Sequence, residues 1–414
     1  MRILHVNKFL YRRGGAEAYM EDLADLQVAA GHTVAFFGMQ HPLNTHLEYQ
    51  QFFPSHIEME PPPTTMSGRV RGAARMVYST SAARGMHAVI DRFEPDVVHL
   101  HNIYHQLSPS VLRPVARRHL PAVMTLHDYK LACPTYQFLD HGNICEACLG
   151  GKFHNALLRR CKDGSLAASA AAAGELFIHT ATRAYAPVRV FVCPSRFLAD
   201  KMAEAGVFVR RLRHVPHFID YAPLALKDEP GGGILVAGRL SPEKGVDVAV
   251  RAVGMLDGAT LDIAGAGPEE ARLRALAEQV APGRVRFHGL LDKPGVDRMM
   301  RAASVVVVPS RWYENQPMVV LEALARGVPV VGSALGGLPE LIEPGATGDL
   351  VPANDPVALA GALAPFLADP GYGMSMRERA RQRVASEFSP QRHLERIETA
   401  YRDAGVSLRP ASAA

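Results

Sequence analysis

Two doubly wound parallel α/β sheets, each with helices on both faces, are the fold this sequence predicts. Three observations predict it. Short strand-like apolar runs recur along the whole chain, and segments of helical periodicity separate most of them. A turn-rich stretch, His217–Gly233, with Pro223, Pro230 and three consecutive glycines, then divides the series in two.

The first series of strands is Ile3–Val6, Val34–Phe37, Val97–Leu100, Val123–Leu126 and Val190–Val192. The second is Ile234–Ala237, Leu261–Ala264, Val285–Phe287, Val305–Val308 and Val328–Val331. Most are continuously apolar rather than alternating, as strands covered on both faces must be. Helical periodicity marks Ala16–Ala30, Phe197–Ala205, Val246–Leu256, Glu269–Val280 and Met318–Ala325. Beyond Pro370 the chain is helical and polar through Arg377–Arg402. Residues 40–70 lack periodicity, carry Pro61–Pro63 and read as a loop, while the tail from Leu408 reads as disordered.

The length of 414 residues suits two or three domains and excludes a small disulfide scaffold. Hydrophobic residues at 48% and charged residues at 21% are a globular balance. Residues 1–216 hold 24 Lys and Arg against 17 Asp and Glu, a net +7; the remainder hold 21 against 24, a net −3. Of the 18 histidines, 15 precede residue 217. A basic half attracts anionic headgroups or phosphates without choosing among them. No run of about 18 apolar residues suggests a spanning helix, since Glu175, His179 and Arg183 interrupt the Ala-rich stretch 165–185. The N-terminus reads as a strand rather than a signal peptide, so a cytoplasmic location is expected.

Candidate chemistry gathers at the ends of strands, where ligands bind in open α/β sheets. Gly14-Gly15 follows the first strand and opens a helix, so backbone N–H groups there can approach a phosphate or simply make a tight turn. The absence of G-x-G-x-x-G counts against a dehydrogenase. Arg239 and Lys244, across one turn after Ile234–Ala237, suit a diphosphate. The segment Ser310–Glu322 carries Glu314 on a loop, Pro317 at a helix start, and Glu322 one turn in. The N–H groups of Met318 and Val319 then point at an anion, and the two carboxylates can accept from sugar hydroxyls flanking a pyrophosphate. Gly336-Gly337 and Ala264–Pro268 offer further turns at strand ends. His127 closes Val123–Leu126 and can bond a sugar hydroxyl, stabilise charge at an anomeric carbon, or serve as a structural histidine.

The order Gly14-Gly15, Arg239 with Lys244, Glu314-x7-Glu322 and Gly336-Gly337 resembles the family 4 retaining glycosyltransferases of GT-B fold, over nearly the whole chain. The resemblance implies two Rossmann-like domains facing a cleft: 1–219 on the acceptor side, 220–385 holding a nucleotide sugar, and a helix at 386–407 crossing back. It implies Arg239 and Lys244 on the diphosphate, Glu322 on the ribose, and Glu314 on the transferred sugar. Met318 and Val319 would meet phosphate or sugar, Gly15 phosphate, and His127 the donor sugar. The expected reaction moves a sugar from a UDP- or GDP-sugar to a saccharide or lipid-linked acceptor, by same-face attack with the departing phosphate as base. An epimerase, a phosphorylase or a non-catalytic nucleotide binder on the same fold is the alternative. No Asp-x-Asp occurs, which fits catalysis without a metal cofactor. Glu314→Ala is expected to abolish transfer with little loss of stability, as for a loop glutamate.

Cys133-x11-Cys145-x2-Cys148-x12-Cys161 departs from the family pattern as an insertion at 133–161. The spacing suits structural zinc, with disulfide or redox thiols and free thiols as the other readings. Cys193, inside a strand, reads as a core residue. Arg69, Arg71, Arg75, Arg84, Arg113, Arg117 and Arg118 supply the first half's charge, as a face for an anionic membrane or as an ordinary solvated surface.

Overall fold

The computed structural model describes residues 1–59 and 65–406; Pro61–Pro63 and the tail from Leu408 lie outside the described residues. The first sheet uses β1 (Arg2–Val6), β2 (Thr33–Phe37), β3 (Val97–Leu100) and β4 (Ala122–Thr125). A small hairpin of β5 (Leu139–Asp140) and β6 (Asn143–Ile144) stands apart, before β7 (Val190–Cys193) and β8 (Leu212–His214) complete the sheet. The second sheet comprises β9 (Ile234–Ala237), β10 (Leu261–Ala264), β11 (Val285–Gly289), β12 (Val305–Val308), β13 (Val330–Ser333) and β14 (Gly348–Val351).

All pairings within both six-stranded sheets are parallel. Their orders are β2-β1-β3-β4-β7-β8 and β11-β10-β9-β12-β13-β14. Strand order reverses beside β1 in the first and beside β9 in the second. Those switch points are where the loops on either side diverge and leave a crevice.

Each sheet is buried by its own apolar clusters, with Leu4, Val6, Phe37 and Met124 in one and Ile234, Val305, Val307 and Val331 in the other. The polar segment expected as one helical stretch is two helices, Arg377–Glu387 and Pro390–Asp403. Ser389 is extended and Pro390 supplies no N–H, so the first helix cannot run on. The second helix packs on the first sheet: Ile397, Ala400 and Tyr401 lie against Ile3, Val97 and Val123. The stretch 40–59 holds one short 3₁₀ turn, Gln50–Phe52, and a helix spans Met66–Val77. No helix among the described residues is long and apolar enough to cross a membrane.

Candidate functional site between the two sheets

The loops after β9 and β12 bring together the residues that the motifs singled out. Gly245, at φ 63, lies where a Cβ would come 2.1 Å from the Pro309 carbonyl, so glycine lets the two loops touch. Lys244 Nζ then sits 2.7 Å from Glu314 Oε1, and Ser310 Oγ donates to the same oxygen at 2.6 Å. Glu314 is 4% exposed, so this is a buried, doubly bonded carboxylate rather than a free loop glutamate. The expectation that its removal costs little stability is therefore corrected: Glu314→Ala breaks the Lys244 pair and leaves the buried Ser310 hydroxyl without its acceptor, at a cost of about 1–3 kcal/mol. Arg239 is largely exposed and pairs with Glu243 at 2.9 Å, leaving most of its guanidinium open to a ligand.

The helix Met318–Ala325 begins one residue after Pro317, which occupies the cap position. Met318 and Val319 are thus its first two residues, half-buried. Burial raises the Glu322 carboxyl above its ordinary value; Arg326 and Lys293 oppose the shift, and Asp22 of the first domain adds to it. Asp22 lies on the helix Gly15–Ala29, so Glu322 is within electrostatic reach of the helix that Gly14 and Gly15 open. A Cβ at Gly15 would project into open space, which leaves its backbone approachable.

Gly336 and Gly337, expected as a turn at a strand end, have a specific packing role. A Cβ at Gly336 would lie 2.4 Å from the Glu314 carbonyl, and one at Gly337 would lie 1.9 Å from the Asn315 carbonyl. Gly337 N also donates to Glu314 O at 2.7 Å. These glycines let a second loop press against the Glu314 backbone and hold it. Gly265 acts alike, a Cβ there falling 1.8 Å from the Gly238 carbonyl.

Residues that the motifs did not single out join the domains. Asn315 accepts from Ser195 Oγ at 2.8 Å and donates to the Leu126 carbonyl at 3.1 Å, directly before His127. Gln316 accepts from the His217 N–H at 2.6 Å. Glu340 accepts from the N–H groups of Arg196 and Phe197 at 2.8 and 2.7 Å, filling the positive end of the helix Arg196–Glu204. Asn315 and Gln316 lay inside the quoted segment, but their partners are far away in sequence.

His127 is held by His101, whose Nδ1 is 3.1 Å from His127 Nε2, and burial pushes its pKa down to about 3. Beyond it Asp128 accepts from Tyr104 OH and from the Lys130 N–H, yet burial still raises its pKa to about 6.

The four cysteines share one insertion and carry no disulfide, and Cys133, Cys161 and Cys145 lie near enough to act electrostatically on the Cys148 thiol. Among the described residues the group of three ligand-type side chains with donor atoms within 4.8 Å is His5, His99 and His101. Cys161 instead lies 3.9 Å from Asp140 Oδ1, and Cys133 lies 3.3 Å from Thr135 Oγ1. Burial raises the Cys148 thiol to about 12 and the Cys161 thiol to about 11. The insertion reaches the Glu314 loop through Glu146, which accepts from Tyr313 OH at 2.7 Å. Cys193 is fully buried. Of the arginines on the first domain, Arg75 donates to the Gln106 carbonyl and Arg118 pairs with Asp91, so neither is a free surface cation.

Two parallel sheets whose switch points face each other, with cations and a buried glutamate at one lip, define a two-domain GT-B architecture. Comparison with known proteins agrees. The pattern described as "Glycosyl transferase 4-like domain" matches residues 14–217, and "Glycosyl transferases group 1" matches residues 225–383. D-inositol 3-phosphate glycosyltransferase 1 of Catenulispora acidiphila is 30% identical over 325 residues, covering 75% of this chain and 72% of that one. The putative colanic acid biosynthesis glycosyltransferase WcaL of Salmonella typhimurium is 35% identical over 215 residues, 48% of this chain and 49% of WcaL. The match therefore spans about half the length of that relative. In fold, the chain is similar to a sucrose-phosphate synthase from Thermosynechococcus elongatus (TM-score 0.70, 22% identity, 97% and 98% of the chains). It is also similar to Anabaena HepE in complex with UDP and glucose (TM-score 0.67, 18% identity, 96% and 99%). The chain belongs to the glycosyl transferase group 1 family, family 4 of the GT-B glycosyltransferases.

Because Asp128 has a folded-state pKa of about 6, above its ordinary 3.8, the fold favours its protonated form. Its contribution to stability is complete below the ordinary value and is lost as pH rises through about 6. Asp128→Asn is expected to gain thermal stability relative to the wild type across that window. Parallel unfolding midpoints for the two proteins through the same window would contradict the assignment.

Proposed function

We propose that the chain is a retaining glycosyltransferase that moves a sugar from a nucleotide-diphosphate donor, UDP- or GDP-linked, to a saccharide or lipid-linked acceptor. The observation that carries this reading is the bond from Asn315 to the Leu126 carbonyl, which sets the Glu314 loop against the strand end that bears His127. A carboxylate from one domain and an imidazole from the other then flank one crevice. HepE holds UDP and glucose on the same fold, which supports a nucleotide-sugar donor here.

In this reading Arg239 and Lys244 neutralise the diphosphate, assisted by the N–H groups of Met318 and Val319 at a helix start and by the backbone at Gly15. Glu322 accepts from the ribose hydroxyls, its raised pKa falling back as those donors arrive. Glu314 accepts from hydroxyls of the transferred sugar and, through Lys244, stays oriented toward the phosphate. The leaving phosphate takes the acceptor proton on the face it vacates, so no carboxylate nucleophile and no catalytic metal are required. The acceptor sits on the first domain, beside Asp128. The helix Met66–Val77, with exposed Val70 and Arg71, is the surface that meets an anionic membrane at its cytoplasmic face. The insertion 133–161 binds structural zinc through Cys133, Cys145, Cys148 and Cys161; the C-x2-C spacing and shared location support this, and binding requires the four sulfurs to close together.

Two measurements check these assignments. Lys244→Ala is expected to weaken binding of UDP or GDP at least tenfold by calorimetry, and Glu314→Ala to lose transfer at least a hundredfold while remaining folded. Unchanged affinity and near wild-type turnover would remove both roles. Elemental analysis is expected to give one zinc per chain with thiols protected from titration. Zinc-free protein with four freely titrating thiols would refute the metal site.

A further inference from the structure

The face of the first sheet beneath the helices Gly15–Ala29 and Pro390–Asp403 changes character along its strands. With a period of two, Ile3, Val97 and Val123 give way to His5, His99 and Thr125, then to His101 and His127 at the strand ends. The buried imidazoles stack: His5 on His99 at 5.2 Å between centroids, His99 on His101 at 4.5 Å, His101 on His127 at 5.4 Å. The donor atoms of His5, His99 and His101 lie close enough for a metal ion, but every ring nitrogen of the three already has a hydrogen-bond partner. The group is a hydrogen-bond network, and its direction can be read.

The anchor is the Gln27 amide, whose Oε1 can only accept and lies 2.8 Å from His5 Nε2, which therefore carries a proton; on a separate branch His393 Nδ1 donates to the Pro216 carbonyl at 2.7 Å. Burial keeps His393, His5, His99, His101 and His127 neutral at neutral pH, so each ring has one N–H and one bare nitrogen. His393 Nε2 is therefore bare and accepts from Tyr19 OH at 3.0 Å. Because Gln27 Nε2 donates to the Tyr401 oxygen, the Tyr401 proton points to His99, whose Nε2 then donates to Thr125 at 2.8 Å. That leaves His99 Nδ1 bare, to accept from Tyr401 OH at 2.8 Å.

The Tyr401 oxygen accepts from Gln27 Nε2 at 2.8 Å, which turns Gln27 Oε1 toward His5 Nε2, also at 2.8 Å. His5 Nδ1 then accepts from His101 Nε2 at 3.0 Å, and His101 Nδ1 accepts from His127 Nε2 at 3.1 Å. Each member has one assignment that suits both neighbours. The amide of Gln27, fully buried, lies with its nitrogen toward Tyr401 and its oxygen toward His5, and this sets the direction of the network. Among the described residues no partner meets His127 Nδ1.

We propose that Gln27 is a positioning residue that fixes His127 as the Nε2–H tautomer, so that His127 offers the crevice a bare Nδ1 that accepts a hydrogen bond from a hydroxyl of the bound sugar. The ligand named here rests on the glycosyltransferase reading; the tautomer does not. His127 then selects a sugar that carries a hydroxyl at the facing position, because a neutral acceptor gains nothing from an analogue that lacks the donor. The helix Pro390–Asp403, through Tyr401, reaches His127 by way of this network.

The test is long-range proton–nitrogen NMR on the full chain with nitrogen-labelled histidine, free of ligand at neutral pH, with the His127 signals assigned by their loss in His127→Gln. The expected spectrum shows His127 protonated at Nε2 alone. In Gln27→Met, which keeps the shape without the hydrogen bonds, His127 is expected to become a mixture of tautomers. Gln27→Glu, whose buried neutral carboxyl has one donor and one acceptor, is expected to restore Nε2–H. A wild-type His127 protonated at Nδ1 or doubly protonated overturns the proposal, as does an unchanged tautomer in folded Gln27→Met; the wild-type spectrum decides even where that variant fails to fold. Absence of sugar transfer with the expected tautomer would count against the glycosyltransferase reading and not against the network.

Discussion

The side chain of Asn315 is the tie on which the rest of the site depends. Its oxygen accepts from Ser195 and its nitrogen donates to the Leu126 carbonyl, and both partners belong to the first domain while Asn315 belongs to the second. The residue before it is Glu314 and the residue after Leu126 is His127, so one amide sets the spacing between two candidate functional groups. Glu340 and Gln316 repeat the pattern nearby, with polar side chains of one domain capping backbone groups of the other. Such bonds contribute about 0.5–1.5 kcal/mol each net of water, so they can orient two domains and still part. The main apolar clusters of the two sheets are separate, and the polar contacts lie between them. That division suits a crevice that must admit a ligand and then close on it.

Electrostatics follow from burial more than from composition. The first half holds most of the histidines, but those nearest the crevice are neutral, because burial lowers the pKa of His5, His99, His101, His127 and His217. The cations among the candidate donor-site residues, Arg239 and Lys244, belong to the otherwise acidic half. Lys244 is spoken for by Glu314, whose carboxylate holds the ammonium in place between the loops.

Most of the architecture was legible because parallel strands buried on both faces leave continuous Val-rich runs, such as Val305–Val308. The edge strands β8 and β14 were not legible. Leu212–His214 is short and carries Arg213 and His214, and Gly348–Val351 opens on glycine and aspartate, so neither has an apolar run. The Glu314 loop was visible as a motif, since charge and proline after a buried strand are a local signal. Asn315, Ser195 and Glu340 were invisible because their partners are over a hundred residues away. The histidine network was half visible: His99, His101 and His127 end neighbouring strands at a period of two, but Gln27 and Tyr401 join them only through helix packing. The glycines at 336 and 337 were read as a turn at a strand end, and backbone crowding against the Glu314 loop is what excludes a Cβ there.

A structure of the full chain with a nucleotide-diphosphate sugar bound tests the central claim most directly. The account predicts the diphosphate at Arg239, Lys244 and the start of the helix Met318–Ala325, with the sugar between Glu314 and His127. A nucleotide seated elsewhere, or a sugar that touches Glu314 while lying far from His127, would contradict it.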